Sequence, residues 1–195
     1  MTRVRNAAAT REKILVAARS RFLADSYDTV GLREIAADAG VDVALVGRYF
    51  GSKESLFKEV LRGSEGPLID GAMRAADLPA FLASLATQEY GPQDAEHVER
   101  LLIILRSASS PKAAAIVKQA ISEDVLEPIA GLLSGDEAQI RASMALSVLM
   151  GTTILRTIMA VEPLSECNPD SVRRNLTAML AAALAVDSSS GPGVG

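Results

Sequence analysis

The stretch 32–50 constrains the fold of this 195-residue chain more than any other. Apolar residues recur at helical spacing in its first eight positions, and Gly40 follows where a helix ends in a left-handed residue. Asp42 stands where a side-chain oxygen caps the next helix, whose apolar side holds Val46 and Phe50. The sequence therefore predicts two short helices joined by a tight turn, the arrangement of the DNA-binding helix-turn-helix.

Composition extends this prediction to the whole chain. Alanine and leucine dominate, aromatic residues make up 4% of the sequence, and β-branched alternation is scarce, so an all-α fold is expected. The single cysteine, Cys167, has no internal disulfide partner and suits a reducing, cytoplasmic setting. Charge interrupts every apolar run in residues 1–20, so no secretory signal is expected there.

The charge is divided unevenly along the chain. Residues 1–62 hold 11 basic and 8 acidic residues, a net charge of +3, whereas residues 63–195 hold 9 and 16, a net charge of −7. A basic head on an acidic body indicates that only the head meets an anionic partner, and the alternative is chance asymmetry on a soluble protein.

Breakers divide the chain into four parts. Residues 1–9 form a short basic arm with Arg3 and Arg5, which is either a flexible end or a contact to phosphates and a minor groove. Residues 10–66 form a three-helix helix-turn-helix domain with a further helix after Gly51, and its first helix is expected from Arg11 to Asp25. Residues 67–186 form a helical domain with helices near 77–89, 94–107, 111–133, 136–161 and 169–186, about nine helices in all. Residues 187–195 are a disordered tail.

The helix ending near residue 161 is apolar on nearly every side. Between Ala142 and Val161 the only charge is Arg156, which leaves a membrane span, an intrachain core and a dimer interface as alternatives. A lone span with a central charge and several hydroxyls is disfavoured, so this helix and the last one are expected to form a four-helix interface in a homodimer. The residues expected in that interface are Leu146, Met150, Thr153, Thr157, Val161, Leu176, Met179, Leu180 and Ala183.

The head as a whole resembles the N-terminal domain of the TetR/AcrR family of bacterial repressors. The pieces that carry the resemblance are TREKIL at 10–15, Phe22, Tyr27, LREIAADAGV at 32–41, RYF at 48–50 and GSKESLF at 51–57. The resemblance implies a homodimer on a palindromic double-stranded DNA operator, with the third helix of each subunit in a major groove. It also implies a body in which a small-molecule inducer controls the heads.

The family's pattern assigns DNA-binding roles to particular residues. Arg33 is placed to reach a base, with a solvated helix face as the alternative, and Tyr49 and Lys53 match positions that commonly contact phosphate. Where the family often has Thr and Tyr, this chain has Leu45 and Gly47, so fewer polar groups face the groove. The full predicted set is Arg3, Arg5, Arg33, Val43, Ala44, Leu45, Gly47, Arg48, Tyr49 and Lys53, in which Val43, Ala44 and Leu45 contact thymine methyl groups and Arg48 becomes the main polar contact.

An inducer pocket is expected among the helices of residues 77–133 and the start of the long helix 136–161. Its candidate lining is Phe81, Leu85, Tyr90, Leu102, Leu105, Arg106, Ile116 and Ile121, each of which is alternatively plain core. Because aromatic residues are few, a smaller aliphatic pocket is favoured over an aromatic-lined multidrug pocket, and the inducer is expected to be lipophilic. Arg106 and Arg156 either pair with an acidic ligand or form ion pairs with a carboxylate such as Glu127 or Glu162.

Two other classes of function compete with a ligand-responsive regulator. A helical enzyme is disfavoured because the chain has one histidine, one cysteine, no metal-ligand spacing and no phosphate-binding glycine loop. No catalytic residue, cofactor or metal is therefore predicted. A helical adaptor that binds protein through its helix-turn-helix is the third possibility, and salt dependence separates it from a DNA-binding protein.

Overall fold

The computed structural model describes residues 2–63, 69, 72–88 and 95–186, with the side chains of residues 2–6 and 95 left aside. These residues form helices and connecting turns without a strand, so the all-α prediction is confirmed. The helices are α1 Thr2–Ala24, α2 Leu32–Ala39, α3 Val43–Phe50, α4 Lys53–Arg62, α5 Leu78–Thr87, α6 Ala95–Ser107, α7 Pro111–Ile121, α8 Glu127–Leu132, α9 Ala138–Thr153 and α10 Pro169–Leu184, with π-helical turns at Ser122–Leu126 and Ile154–Ile158.

The first helix is longer than the sequence predicted. It begins at Thr2 instead of Arg11, so the expected flexible arm over residues 1–9 is wrong for residues 2–9, which are helical. The reason is local, because the alanines at 7–9 have the highest helix propensity and no breaker separates them from the amphipathic turns that follow. Arg3 and Arg5 lie on this helix, but their side chains are outside the described residues.

Two compact units make up the chain. Unit 1 contains Met1–Pro67 and Gly91–Ile121, and unit 2 contains Leu68–Tyr90 and Ser122–Gly195. The sequence divided the chain once, at residue 66, whereas the packing places 91–121 with the N-terminal helices. The apolar faces of α6 and α7 cause this, because Ile103, Ala113 and Ile116 are buried in the same cluster as the helix-turn-helix core.

Three aromatic rings stand at the centre of unit 1. The ring of Phe57, on α4, lies edge-on to that of Phe22, on α1, with 4.8 Å between the centroids, and 4.9 Å from the ring of Tyr27. All three are buried, together with Ile14 and Ile35. Because α1, α2 and α4 each contribute to this cluster, the helix-turn-helix is fixed on a rigid base.

Two arginines of α6 add further contacts to the N-terminal helices within unit 1. Arg100 donates from Nη1 to the carbonyl of Arg62 at 2.6 Å, and Arg106 donates to the carbonyls of Leu23 and Ala24. Both arginines therefore satisfy carbonyls at the C-terminal ends of helices, where no intrahelical donor exists.

Unit 2 packs α5, α8, α9 and α10 around their own core. Its fully buried members include Leu82, Ile129, Ala142 and Leu180. Pro128 was expected to divide the run 111–133, and a π-helical turn does separate α7 from α8 immediately before it. Arg141 is also buried and donates to the carbonyls of Leu184, Ser134 and Asp136, which joins the start of α9 to the end of α10.

The apolar faces of α9 and α10 are divided differently from the sequence prediction. Leu176 and Leu180 are 2% and 0% exposed in the core of unit 2, so their placement in a dimer interface is wrong, because α5 and α9 of the same chain cover them. Leu146, Met150, Thr153, Thr157 and Ala183 are half-buried, and Val161 and Met179 are exposed. Large apolar side chains remain exposed at Ile140, Met144, Leu155, Met159, Val161, Met179 and Val186, a set referred to below as the α9–α10 surface.

The run Ala138–Ile158 is long and apolar enough to cross a membrane by length and composition, with a mean hydropathy of 1.2. Its inner side packs in the core of unit 2 through Ala142, Ala145 and Leu149. A helix with one side in a protein core and the other side apolar is also what an interface between subunits requires.

The candidate pocket residues fall into different units. Phe81 and Leu85 pack against the core of unit 2, whereas Ile116 and Ile121 belong to that of unit 1. Leu102 is half-buried and Leu105 is 41% exposed on α6, and Tyr90 is outside the described residues. The eight residues therefore do not line one cavity within either unit, since the sequence pattern marks apolar helix faces without saying which core each one joins.

Candidate nucleic-acid interface

The turn between α2 and α3 is built from two local signals. Gly40 ends α2 with φ of 66°, and its N–H donates to the carbonyls of Ala36 and Ala37. Asp42 begins α3, and its carboxylate accepts a hydrogen bond of 2.7 Å from the N–H of Ala44. Both features match the sequence prediction: Gly40 acts through a left-handed backbone that glycine adopts without strain, and Asp42 acts through its side-chain oxygen.

Glycine begins α2, and a neighbouring side chain compensates for the missing cap. The carboxylate of Glu34 accepts a hydrogen bond of 2.9 Å from the N–H of Gly31. This is half of a capping box, in which the third helical residue reaches back to the capping residue. The start of α2 is therefore fixed even though Gly31 has no side chain.

The outer face of α3 is small and apolar. Val43, Ala44 and Gly47 are exposed at helical spacing, while Val46 and Phe50 are buried on the opposite side. A Cβ built on Gly47 would have no atom within 4 Å, so this part of the helix is open to a close approach. Leu45 is half-buried beside this face. The structure thus places the predicted thymine-methyl contacts together on one accessible surface.

Two exposed arginines accompany this surface. Arg33 on α2 and Arg48 on α3 make no hydrogen bond or ion pair with the described part of the chain. Every other arginine of unit 1 whose side chain is described has a protein partner: Arg11, Arg19, Arg21 and Arg62 pair with carboxylates, and Arg100 and Arg106 donate to carbonyls. The helix-turn-helix therefore holds the guanidinium groups that unit 1 leaves unpaired, and this donor fork matches guanine or phosphate.

Lys53 is less free than the arginines. It stands at the start of α4 with its ammonium 4.5 Å from the centroid of the Tyr27 ring. Burial lowers the pKa of Lys53, while the nearby carboxylate of Asp28 acts in the opposite direction. The aromatic face fixes the position of this cation at a helix N-terminus, where N–H groups also favour an anion.

Tyr49 and Ser52 flank the junction of α3 and α4. Tyr49 is half-buried, with its ring 6.5 Å from that of Phe50. The hydroxyl of Ser52 accepts a hydrogen bond of 3.1 Å from the N–H of Ser55, so Ser52 caps α4 as the sequence predicted. Contacts of Tyr49 and Lys53 to phosphate remain predictions.

Sequence reasoning missed the side chains that hold α2 and α3 in place. The guanidinium of Arg11 lies 5.0 Å from the centroid of the Phe50 ring and pairs with Glu59. Arg21 pairs with Asp38 and so joins α1 to α2, with one of its two hydrogen bonds at 2.8 Å. Opposite charges 17 or 48 residues apart give no local signal in a single sequence.

A carboxylate at the start of α4 is joined to α7. The ammonium of Lys112 pairs with Glu54 and, with a backbone N–H, lowers the pKa of Glu54 to about 2. Burial, and secondarily Glu54, raises the pKa of Tyr27 to about 12. By hydrogen-bond geometry the buried Tyr27 hydroxyl has no partner among the described residues, and the nearby Glu54 carboxylate opposes a negative charge there, so the neutral phenol is the form this core accommodates.

Comparison with known proteins agrees with this geometry. The sequence model of the family "Bacterial regulatory proteins, tetR family" matches residues 14–60, which include the helix-turn-helix. The sequence model of the family "Tetracyclin repressor-like, C-terminal domain" matches residues 80–184, more than half of the chain. The chain belongs to the TetR family of transcriptional regulators. The prediction made from the residues of the head is thereby confirmed, and the protein is a DNA-binding transcriptional regulator of a family that is regulatory rather than enzymatic.

Individual relatives cover most of the molecule. The HTH-type transcriptional regulator BetI of Rhizobium meliloti (strain 1021) is 32% identical over 152 residues, which span 64% of this chain and 75% of BetI. A TetR-family regulator of Streptomyces coelicolor A3 is 28% identical with a TM-score of 0.51, covering 91% of this chain and 95% of its own. The SmeT–triclosan complex has a TM-score of 0.67 at 22% identity, covers 95% and 96%, and shares the fold.

Proposed function

We propose that this TetR-family protein is a cytoplasmic, homodimeric repressor that leaves a palindromic operator when a small lipophilic molecule binds. The observation that carries the DNA-binding geometry is the pair Arg33 and Arg48, exposed and unpaired in a unit whose other described arginines have partners. A protein that leaves guanidinium groups bare on a helix-turn-helix has them available for guanine edges and phosphates.

The proposed contacts are of two kinds, those made in the major groove and those made to the DNA backbone or the minor groove. Arg33 and Arg48 donate to bases or phosphates, and Val43, Ala44 and Leu45 meet thymine methyl groups. Gly47 lets the backbone of α3 approach the groove. Tyr49, Lys53, Arg3 and Arg5 bind the DNA backbone or the adjacent minor groove.

Two heads are needed for such an operator. Half-sites on one side of a duplex stand roughly 34 Å apart, a spacing set by protein dimers with two-fold symmetry. The α9–α10 surface supports self-association, because Met144, Met159 and Met179 are each more than half exposed. Because regulators of the TetR family bind DNA as dimers, the partner proposed for that surface is a second copy of this chain.

The body is the part proposed to bind the inducer. The match to the tetracyclin repressor-like C-terminal domain covers α5 to α10, and SmeT, which shares the fold, forms a complex with triclosan. Apolar side chains predominate in unit 2, so a small lipophilic molecule fits this composition better than a strongly polar one.

The test measures binding of the purified protein to the DNA upstream of its own coding region by fluorescence anisotropy. Arg33→Ala should cost about 1–3 kcal/mol of binding free energy and relax preference at one operator position. Arg48→Ala should weaken binding by a similar amount. Arg174→Ala removes an exposed arginine from α10 and should bind DNA like the parent. Lys53→Ala should weaken all sequences alike and reduce the salt slope by about one.

Two outcomes would contradict this proposal. If Arg33→Ala and Arg48→Ala both bind like the parent, the surface of α2 and α3 does not face the groove. If the interaction partner of the head is a protein, its affinity will fall little between low and moderate salt, whereas a DNA complex weakens steeply. If the purified protein turns over a substrate and has no affinity for the upstream DNA, the alternative of a helical enzyme is favoured over a regulator.

A further inference from the structure

One arginine of unit 2 is under-coordinated in an apolar setting. Arg156 is the only charged residue between Ala142 and Val161, and its side chain is half-buried. Its Nη1 donates to the carbonyl of Ala86 at 3.2 Å, and its Nε, like that of Arg141, is shielded from solvent without a hydrogen-bond partner among the described residues. The carboxylates of Glu127 and Glu162, considered from sequence as partners, form no ion pair with it.

Comparison with Arg141 shows how unit 2 treats an arginine of purely structural role. Arg141 uses its two terminal nitrogens on three carbonyls, at 2.6 to 3.2 Å. Arg156 uses one terminal nitrogen on one carbonyl, and its Nη2 makes no hydrogen bond to the residues that the structure describes and is not closed off from solvent. A guanidinium has five N–H donors, so most of the capacity of Arg156 is unused.

The backbone at Arg156 is also unusual. Residues Ile154–Ile158 form a π-helical turn, in which the N–H of Met159 reaches the carbonyl of Ile154 at 2.8 Å. The turn continues α9 to the C-terminal end of the helical run, and π-helical turns are rare and occur often at functional sites. Arg156 is at the centre of this five-residue turn and is its one charged residue.

The helix whose carbonyl accepts from Arg156 is largely apolar. On α5, Leu82 and Ala86 are buried in the core, while Phe81 and Leu85 lie one position further round the helix and are half-buried. The helix presents an apolar strip next to the carbonyl that holds Arg156. A guanidinium with unused donors beside an apolar strip suits a ligand that has both an anionic group and an apolar part, because hydrogen bonds to a charged group are the stronger ones.

We propose that Arg156 anchors the effector in unit 2 and that the effector is a carboxylate with an apolar chain. Its carboxylate accepts hydrogen bonds from Nη1 and Nη2, and its chain lies along Phe81 and Leu85. This inference rests on the proposed ligand response and adds to it the chemical class of the ligand.

The experiment uses three probes with one chain length and different head groups: decanoate, decan-1-ol and decylammonium. Binding to the full-length protein is measured by isothermal titration, and release of the upstream DNA by anisotropy. The parent should bind decanoate about tenfold or more tightly than decan-1-ol, since hydrogen bonds to a charged group are the stronger ones. Decylammonium should bind more weakly than either.

Arg156→Gln keeps hydrogen-bond donors but removes the charge, and it should abolish the preference for decanoate over decan-1-ol. Arg174→Gln, an exposed arginine on α10, should keep the preference of the parent. Should Arg156→Gln fail to fold by circular dichroism, Arg156→Lys provides the second variant. It should still prefer decanoate to decylammonium, although less strongly, and equal binding of the two would overturn the proposal.

The outcomes separate this inference from the function on which it rests. If decan-1-ol binds and releases the DNA as well as decanoate does, the ligand response stands and the carboxylate anchor is wrong. If Arg156→Gln keeps the full preference for decanoate, the anion binds elsewhere and the proposal fails. If no probe binds the parent, the proposal fails as well, while DNA binding measured without any probe tests the regulator on its own.

Discussion

Replacing one exposed methionine on the α9–α10 surface should dissociate the proposed dimer. Met144 is 57% exposed in the single chain. Burying a whole methionine side chain contributes about 1.5–3 kcal/mol, so covering the exposed part contributes about 1–1.5 kcal/mol per subunit. Because a two-fold interface uses each residue twice, the pair contributes about 2–3 kcal/mol.

The variant Met144→Glu removes this contribution and places two carboxylates in the contact. The dissociation constant should rise by roughly 30- to 150-fold from the lost burial alone. Sedimentation velocity across nanomolar to micromolar protein measures the change directly. Val16→Glu is the matched control, because Val16 is 51% exposed on α1 in unit 1 and is not part of the α9–α10 surface.

Two results would refute this reasoning. A parent protein that sediments as a single chain at micromolar concentration has no dimer to dissociate. A Met144→Glu variant with the dimer affinity of the parent would mean that the subunits associate through another surface. In the expected case, Met144→Glu also loses affinity for a full operator more than for an isolated half-site.

Three further predictions concern unit 1. Gly40→Ala should lower the free energy of unfolding, measured by urea denaturation, by about 1–2 kcal/mol, because φ is 66° at Gly40. Gly47→Ala, inside α3, should raise it by up to about 1 kcal/mol, and equal effects of the two variants would contradict the left-handed cap. Glu54 has a pKa lowered from 4.5 to about 2, so its contribution to stability is complete above pH 4.5 and is lost as the pH falls to 2; Lys112→Met should flatten that part of an acid titration followed by circular dichroism. Tyr27 has a pKa raised from 10.0 to about 12, so it favours folding below pH 10 and this is lost as the pH rises to 12; Tyr27→Phe should fold as well as the parent and remove the last step of a tyrosinate absorbance titration, and a surviving step would assign that pKa elsewhere.

The helix-turn-helix was predictable from sequence because short-range chemistry decides it. Gly40 ends a helix by its backbone freedom, and Asp42 begins the next by a bond to a residue two positions away. Val46 and Phe50 mark the inner side of α3 through periodicity alone. Each of these signals lies within a few residues, so neither tertiary structure nor relatives were needed to find them.

The rest depended on which surfaces meet. An apolar stripe says that a helix face is covered, but it does not say by what: Leu176 and Leu180 are covered by their own chain, and Met179 between them is not. In the same way Ile116 belongs to the core beneath the helix-turn-helix and not to a pocket in the body. Arg106, a candidate for a ligand contact, instead satisfies the carbonyl end of α1.

The sharing of one core by residues 1–63 and by α6 and α7 bears on how this regulator can be taken apart. A fragment that stops at residue 66 would lose Ile103, Ala113 and Ile116 from beneath its aromatic cluster, together with the donors that close α1 and α4. A hybrid regulator that joins residues 1–66 to the ligand-binding domain of another protein would therefore expose apolar residues of the N-terminal core to solvent. A hybrid that keeps residues 95–121 together with residues 1–63 would leave this core covered, and only the helices of unit 2 would be exchanged.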